Sequence, residues 1–154
     1  MALTLTQNFE TNLDLNQIKL VIKNDLFQKE RIKDSKVISF ESSANTSSVT
    51  IKKLLEIELA SNISAMVSNP FEIIESWDLE NASKILVLVE IPKVQTKIVV
   101  ELKVNDQHII EVKSQINSTV FMMGSFVEEH VAKFWKKIVD KDLKILLSWP
   151  INQI

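Results

Sequence analysis

The sequence predicts an α+β fold in which a bent antiparallel sheet wraps one long C-terminal helix, and three observations carry that expectation. Apolar residues recur at nearly every second position in most runs between Lys36 and Asn117, the signature of strands with one buried face. After Thr119 the period changes, and Met123, Val127, Val131, Phe134, Ile138 and Ile145 recur at helical spacing. The breaks between the strand-like runs are short, as at Asn105-Asp106, so consecutive strands pair antiparallel without crossovers. A strand, short helices, about six further strands and a long helix make an α+β order.

Each element has its own justification. Leu3, Leu5 and Phe9 alternate with Thr4, Thr6 and Asn8, which gives the first strand. Asn12 or Asp14 can cap a short helix carrying Ile18, Val21 and Ile22, because a side-chain oxygen there takes an unpaired backbone N–H. A second helical piece is expected over 25–33. Lys36 to Glu41 reads as a strand with Ile38 and Phe40 on one face, and the Ser- and Asn-rich run 41–48 reads as a turn. Val49, Ile51, Leu55 and Ile57 mark the next strand. Within it, Lys52-Lys53 before Leu54-Leu55 interrupts the alternation and suggests a β-bulge. A short helix or turn over 60–68 is stopped by Asn69-Pro70.

Phe71, Ile73, Glu75 and Trp77 begin another strand. Ile85 to Ile91 is apolar on both faces, which suits a central, well-covered strand that Pro92 ends. Thr96 to Val104 and His108 to Ile116 form the last hairpin. The final helix runs to about Trp149, with Pro150 beyond it. Glu128, Glu129, Lys133, Lys136, Lys137, Asp140 and Lys144 fall on its solvated side.

Composition excludes several function classes. The chain has 154 residues, which suits a single domain over 1–154. It has no cysteine, so disulfides, thiolate metal sites and cysteine nucleophiles are excluded. Its one glycine rules out dinucleotide-binding, phosphate-loop and nucleophile-elbow patterns. The net charge is −2, and Arg31 is the sole arginine, so nucleic acid is not an expected partner. No apolar run approaches the ~20 residues of a membrane span. Residues 1–10 alternate polar and apolar, without a basic start and an apolar block, so a cytoplasmic address is expected. His108 and His130 are far apart, with no acidic residues at ligand spacing, so neither a metal nor another cofactor is expected.

The order of elements resembles the START-like superfamily, also called SRPBCC or polyketide-cyclase-like, whose helix-grip arrangement is shared by Bet v 1-like proteins. Ile57 to Leu59, followed by Phe71 to Trp77 (FEIIESW), is similar to a strand, small helix and E-x-W strand of the largely actinobacterial family called domain of unknown function 2505. Val89 to Pro92 with Val94 to Val104, and Ile110 to Val120 leading into Gly124 and Glu128, resemble that family's later strands and final helix start. The resemblance implies a bacterial protein with a cavity between sheet and helix for a hydrophobic ligand or lipid. It transfers no catalytic residue.

Three function classes follow. A binding module would take an apolar or amphipathic small molecule between sheet and helix, with Trp77, Val100, Ile110, Val112, Phe126, His130, Phe134 and Ile138 as inward candidates. A cyclase or hydratase would use His130 or Glu75 as general acid or base. His130, flanked by Phe126 and Phe134, borders the apolar stripe, and its alternative is a solvated histidine on the helix flank. Glu75 shares strand parity with Phe71, Ile73 and Trp77, so it could point inward with a raised pKa, or instead reach solvent or pair with a lysine. A filled domain used for protein contact is the third class. It predicts no cavity and an exposed apolar patch. Oligomeric state is not legible in the sequence.

Overall fold

The computed structural model describes residues 2–33, 35–150 and 152. The chain begins with β1 (Leu3–Glu10), α1 (Leu15–Ile22) and α2 (Asp25–Ile32). Asp14 closes a capping box on α1: Gln17 N–H donates to its carboxylate, and its own N–H donates to Gln17 Oε1. Asn24 caps α2 by accepting from Leu26 N–H. Next come β2 (Val37–Ala44), β3 (Ser48–Leu55), the single turn α3 (Ser61–Ser64) and β4 (Phe71–Asp78). β5 (Ile85–Ile91), a 3-10 turn (Pro92–Val94), β6 (Thr96–Val104), β7 (Ile109–Ser118) and α4 (Gly124–Leu147) complete it.

The seven strands form one sheet in the order β1-β7-β6-β5-β4-β3-β2, with every neighbouring pair antiparallel. Five hairpins follow the chain from β2 to β7, and β1 joins β7 by pairing Leu3 with Ile116 through to Glu10 with Ile109. The inner face is a field of Ile and Val: Val49 and Ile51, Ile73, Ile85 to Ile91, Ile98 to Leu102, and Ile110 to Ile116 are buried at alternate positions. α4 lies over that face, packing on β1, β7 and α2. Val127, Val131, Trp135, Val139, Leu143 and Leu146 make its buried stripe. Trp135 Nε1–H donates to Ser114 Oγ at 2.9 Å, so the buried indole keeps its polar partner.

Several sequence expectations are corrected. The bulge is not in β3: its pairing with β4 is continuous from Ser48 to Leu55. The register slips instead in β2, between Val37 and Ser39, which leaves Ile38 58% exposed. Lys53 therefore does not break the alternation but continues it, pointing inward with Val49, Ile51 and Leu55. β2 also outruns its expected end, and the turn shrinks to 45–47, where the N–H groups of Ser47 and Ser48 donate to Asn45 Oδ1. β5 is central but covered on one side only. Leu88 and Val99 pair across strands on the outer face, 36% and 47% exposed. α4 starts at Gly124, as the resemblance implied. Glu128, expected in solvent, is 3% exposed, and its carboxylate accepts from Ser118 N–H at 2.9 Å. Leaving the last β7 amide unpaired in the interior would be costly, and Glu128 supplies its acceptor.

Candidate functional site

The inner face of the sheet changes character toward β3 and β4. Inward parity carries Glu75 and Trp77 in from β4 and Lys53 in from β3, and Arg31 reaches them from α2. Glu75 is fully buried, with 0% exposure. Arg31 Nη2 donates to Glu75 Oε1 at 3.0 Å and to Asp142 Oδ2 of α4 at 2.8 Å. Lys53 Nζ lies 3.0 Å from Glu75 Oε2. Trp77 Nε1–H donates to Glu75 Oε1 at 2.9 Å, and the guanidinium carbon lies 5.4 Å from the indole centroid. Arg31 Nη1 also donates to Gln28 Oε1, and Gln28 Nε2 donates onward to Ile22 O.

Two cations and two carboxylates thus form a buried, neutral quartet that ties α2, β3, β4 and α4 together. Burial alone would raise the pKa of Glu75. The charges of Arg31 and Lys53, and hydrogen bonds from Lys53 and Trp77, override it and hold the group at about 2. Of the alternatives at Glu75, the inward placement and the pairing with a lysine, Lys53, are met, whereas the raised pKa is not, because an inward carboxylate with that many partners stays ionised. Burial works against the charged form of Arg31 too, and the facing Asp142 and Glu75 more than reverse it, so its pKa is raised.

Beside the quartet a half-open cleft of about 520 Å³ runs between α4, the end of α2, the start of β2 and the segment 55–60. Asn69 shapes its wall. Its side chain accepts from Ile57 N–H at 2.8 Å and donates to Ile57 O at 3.0 Å, so that it stands in for a neighbouring strand. Ile57, Leu59, Phe134 and Ile138 give the cleft an apolar side. Its other lining is charged: Arg31, Lys36, Lys53, Lys133, Lys137 and Lys141 against Glu56, Glu58 and Asp142. An apolar notch of about 20 Å³ continues inward past Phe71, Val127 and Val131, sharing Ile57, Leu59, His130 and Phe134 with the cleft.

The eight inward candidates divide. His130, Phe134 and Ile138 line the cleft. Trp77, Val100 and Val112 border a smaller void of about 30 Å³ beneath Trp135 and Val139, room for about one water, which shares Arg31 and Asp142 with the cleft. Ile110 is fully buried in the core, and Phe126 is half-buried and borders neither space. His130 Nε2 is buried and has no hydrogen-bond partner among the described residues. His108 is exposed, in the β6–β7 turn at φ 58°. Glu72, Asp78 and Glu80, near Glu75 in sequence, face solvent. A groove of about 560 Å³ beside the C-terminus of α4, between 10–13 and 107–109, takes in His108 and Trp149. Among the described residues, no three His, Asp or Glu side chains stand together as a metal would require.

Sequence reasoning missed Arg31, Lys53 and Asp142. Lys53 had a usable signal, its inward parity with Val49, Ile51 and Leu55. The partnership of Arg31 with Glu75 spans 44 positions and that with Asp142 spans 111, and no local pattern records either.

No family model matches the chain, and neither does any curated protein sequence. Solved structures do match. The ZhuI aromatase/cyclase from Streptomyces sp. R1128 aligns with a TM-score of 0.64 at 8% identity, over 96% of this chain and 92% of that one. Ara h 8.0201 gives 0.58 at 11% identity, over 97% and 100%. The ginseng major latex-like protein 151 from Panax ginseng gives 0.59 at 9%, over 97% and 99%. The fold is thus the helix-grip, START/Bet v 1-like α+β fold. No helix among the described residues is long and apolar enough to cross a membrane.

Proposed function

We propose that the chain, as one START-like domain over 1–154, is a binding module that holds a hydrophobic or amphipathic small molecule, or a lipid, in the cleft along α4. The observation that carries the reading is where the open volume lies. Side chains leave about 30 Å³ beneath Trp135, whereas about 520 Å³ remains beside Phe134 and Ile138. The latter is within the range of ligand pockets, roughly 300–1,000 Å³. That an aromatase/cyclase is built on this fold supports the reading, since such an enzyme must hold a substrate. Kinship with the family of domain of unknown function 2505 belongs to the same proposal. Its E-x-W strand motif is supported here by the hydrogen bond from Trp77 to Glu75. A cytoplasmic address also stays part of it.

Native mass spectrometry of the purified chain and displacement of a fluorescent lipid dye test the proposal. A retained small molecule, or displacement that Phe134→Ala weakens at least tenfold, is expected. No retained mass and no displacement across fatty acids, phospholipids and sterols would overturn it.

One observation favours a second reading, an acid–base enzyme. His130 Nε2 is unpartnered and sits where cleft and notch meet, so it could exchange a proton with a bound molecule. Glu75 is a poor acid beside it, being held ionised by its partners. His130→Ala would then abolish turnover while binding persists. Unchanged turnover in that variant would remove this reading.

A further inference from the structure

We infer that the cleft selects amphipathic molecules with an anionic head, and that Lys53 seats the head while Ile57, Leu59, Phe134 and Ile138 receive the tail. The inference rests on the binding reading above and adds the chemistry of the ligand.

Lys53 is the central observation. Its side chain is 8% exposed, it lines the cleft, and its ammonium has three N–H donors. Glu75 accepts one of them, and no other acceptor serves Lys53 among the described residues. Arg31 is more fully engaged: its Nη1 and Nη2 groups are held by Gln28, Glu75 and Asp142, and its buried Nε–H is the one donor group left without a partner among the described residues. A buried cation with unused donors in the wall of an open cleft favours an oxygen acceptor, and a charged acceptor makes the stronger bond.

The surroundings point the same way. Six basic side chains line the cleft against three acidic ones, and with Glu75 set against Arg31 and Lys53 an excess of two positive charges remains, on a chain whose net charge is −2. Asp142 is already paired with Arg31, and Glu56 and Glu58 are exposed, so no buried carboxylate awaits a cationic head. Lys133 and Lys137 stand one helical turn apart on α4, where their field draws anions to the entrance. The apolar wall faces this basic lining within one cleft, so head and tail can be satisfied by one molecule.

The test is dye displacement and calorimetry with four twelve-carbon probes below their micelle concentrations: dodecanoate, dodecyl phosphate, dodecanol and dodecyltrimethylammonium. At least one of the two anions is expected to bind tenfold or more tighter than dodecanol, with the ammonium weakest. Which anion leads distinguishes a carboxylate head from a phosphate head. Lys53→Gln, which keeps a donor to Glu75, should erase most of that preference. Should Lys53→Gln fail to fold, the exposed pair Lys133→Gln with Lys137→Gln should shrink the preference about threefold and flatten its salt dependence. Equal binding of dodecanol and both anions would overturn the inference while leaving the cleft reading intact, with water serving Lys53. An anion preference that survives both sets of substitutions would overturn it too. No binding by any probe would remove both the inference and the reading beneath it.

Discussion

Two stripes of α4, offset by one residue and so by about 100° around the helix, face different interiors. Trp135 and Val139 look onto the Ile and Val field of the sheet, where Val87, Val100, Leu102 and Val112 meet them with about 30 Å³ left over. His130, Phe134 and Ile138 look onto the cleft of about 520 Å³ beside the charged quartet. Apolar side chains close ranks wherever volume allows, because each contact adds dispersion energy and removes water. Charged groups obey a stricter geometry. Arg31, Glu75, Lys53 and Asp142 are fixed by hydrogen bonds near 3 Å and so hold α2, α4 and β3 at set separations. The helix is therefore gripped in one place by packing and in another by directional bonds, and open volume lies beside the second.

The contrast can be broken or sharpened by substitution. Glu75→Ala should have the largest effect, about 3–5 kcal/mol in urea or thermal unfolding, because it strands Lys53 as a buried, unpaired cation and leaves Arg31 with Asp142 as its one carboxylate. Replacing Arg31, Lys53, Glu75 and Asp142 together by Met, Met, Leu and Leu, so that no member of the quartet is left unpaired, should recover most of that loss. If Glu75→Ala unfolds no more easily than wild type, the quartet is not holding that end.

Trp135→Ala should cost about as much, 3–5 kcal/mol, through the cavity it leaves. Its loss should be the same at pH 7 and pH 3, whereas that of Glu75→Ala should shrink in acid.

Acid sharpens the distinction. The folded pKa of Glu75 is depressed from the ordinary 4.5 to about 2, so its stabilisation is complete above the unfolded value and is lost as pH falls between them. A shift of that size corresponds to about 3 kcal/mol. Unfolding midpoints measured from pH 6 to pH 2 should fall through that window in wild type and more shallowly in Glu75→Gln.

Gly124→Ala should show the smallest change. A helical Gly→Ala normally gains up to about 1 kcal/mol. A Cβ at Gly124, however, would stand 3.0 Å from Ser118 O, so a loss of about 1 kcal/mol is expected in thermal melts. A gain in stability would mean that the β7–α4 junction relaxes freely. The chain's one glycine is thus placed where backbone meets backbone.

Much of the fold was legible locally. The alternation of Thr96 to Val104 and Ile109 to Ser118, the Asp14 cap and the long period after Thr119 each depend on residues within a few positions of one another. Errors came where charge was read as exposure. Glu128 was assigned to solvent because burying a charge is costly, and Lys53 was read as part of a bulge that interrupts the alternation, yet each is buried with its partner across the fold, the Ser118 amide and Glu75. Of the candidate site, His130, Phe134 and Ile138 were found because they share one helix face at i, i+4 and i+8. The opposite wall at Ile57 and Leu59 was not, since β3 ends at Leu55 and nothing local says the chain then turns along α4.

The sequence by itself determined the strands, the capped helices, the closing amphipathic helix and their antiparallel order, because hydrophobic period and turn chemistry act over a few residues. Only the tertiary structure decided that the space beneath Trp135 is filled, that the sole arginine meets Glu75 and Asp142, and that an open cleft runs beside Phe134. Those outcomes depend on side-chain volumes and charges brought together from positions as far apart as Arg31 and Asp142, whose meeting no short-range pattern encodes.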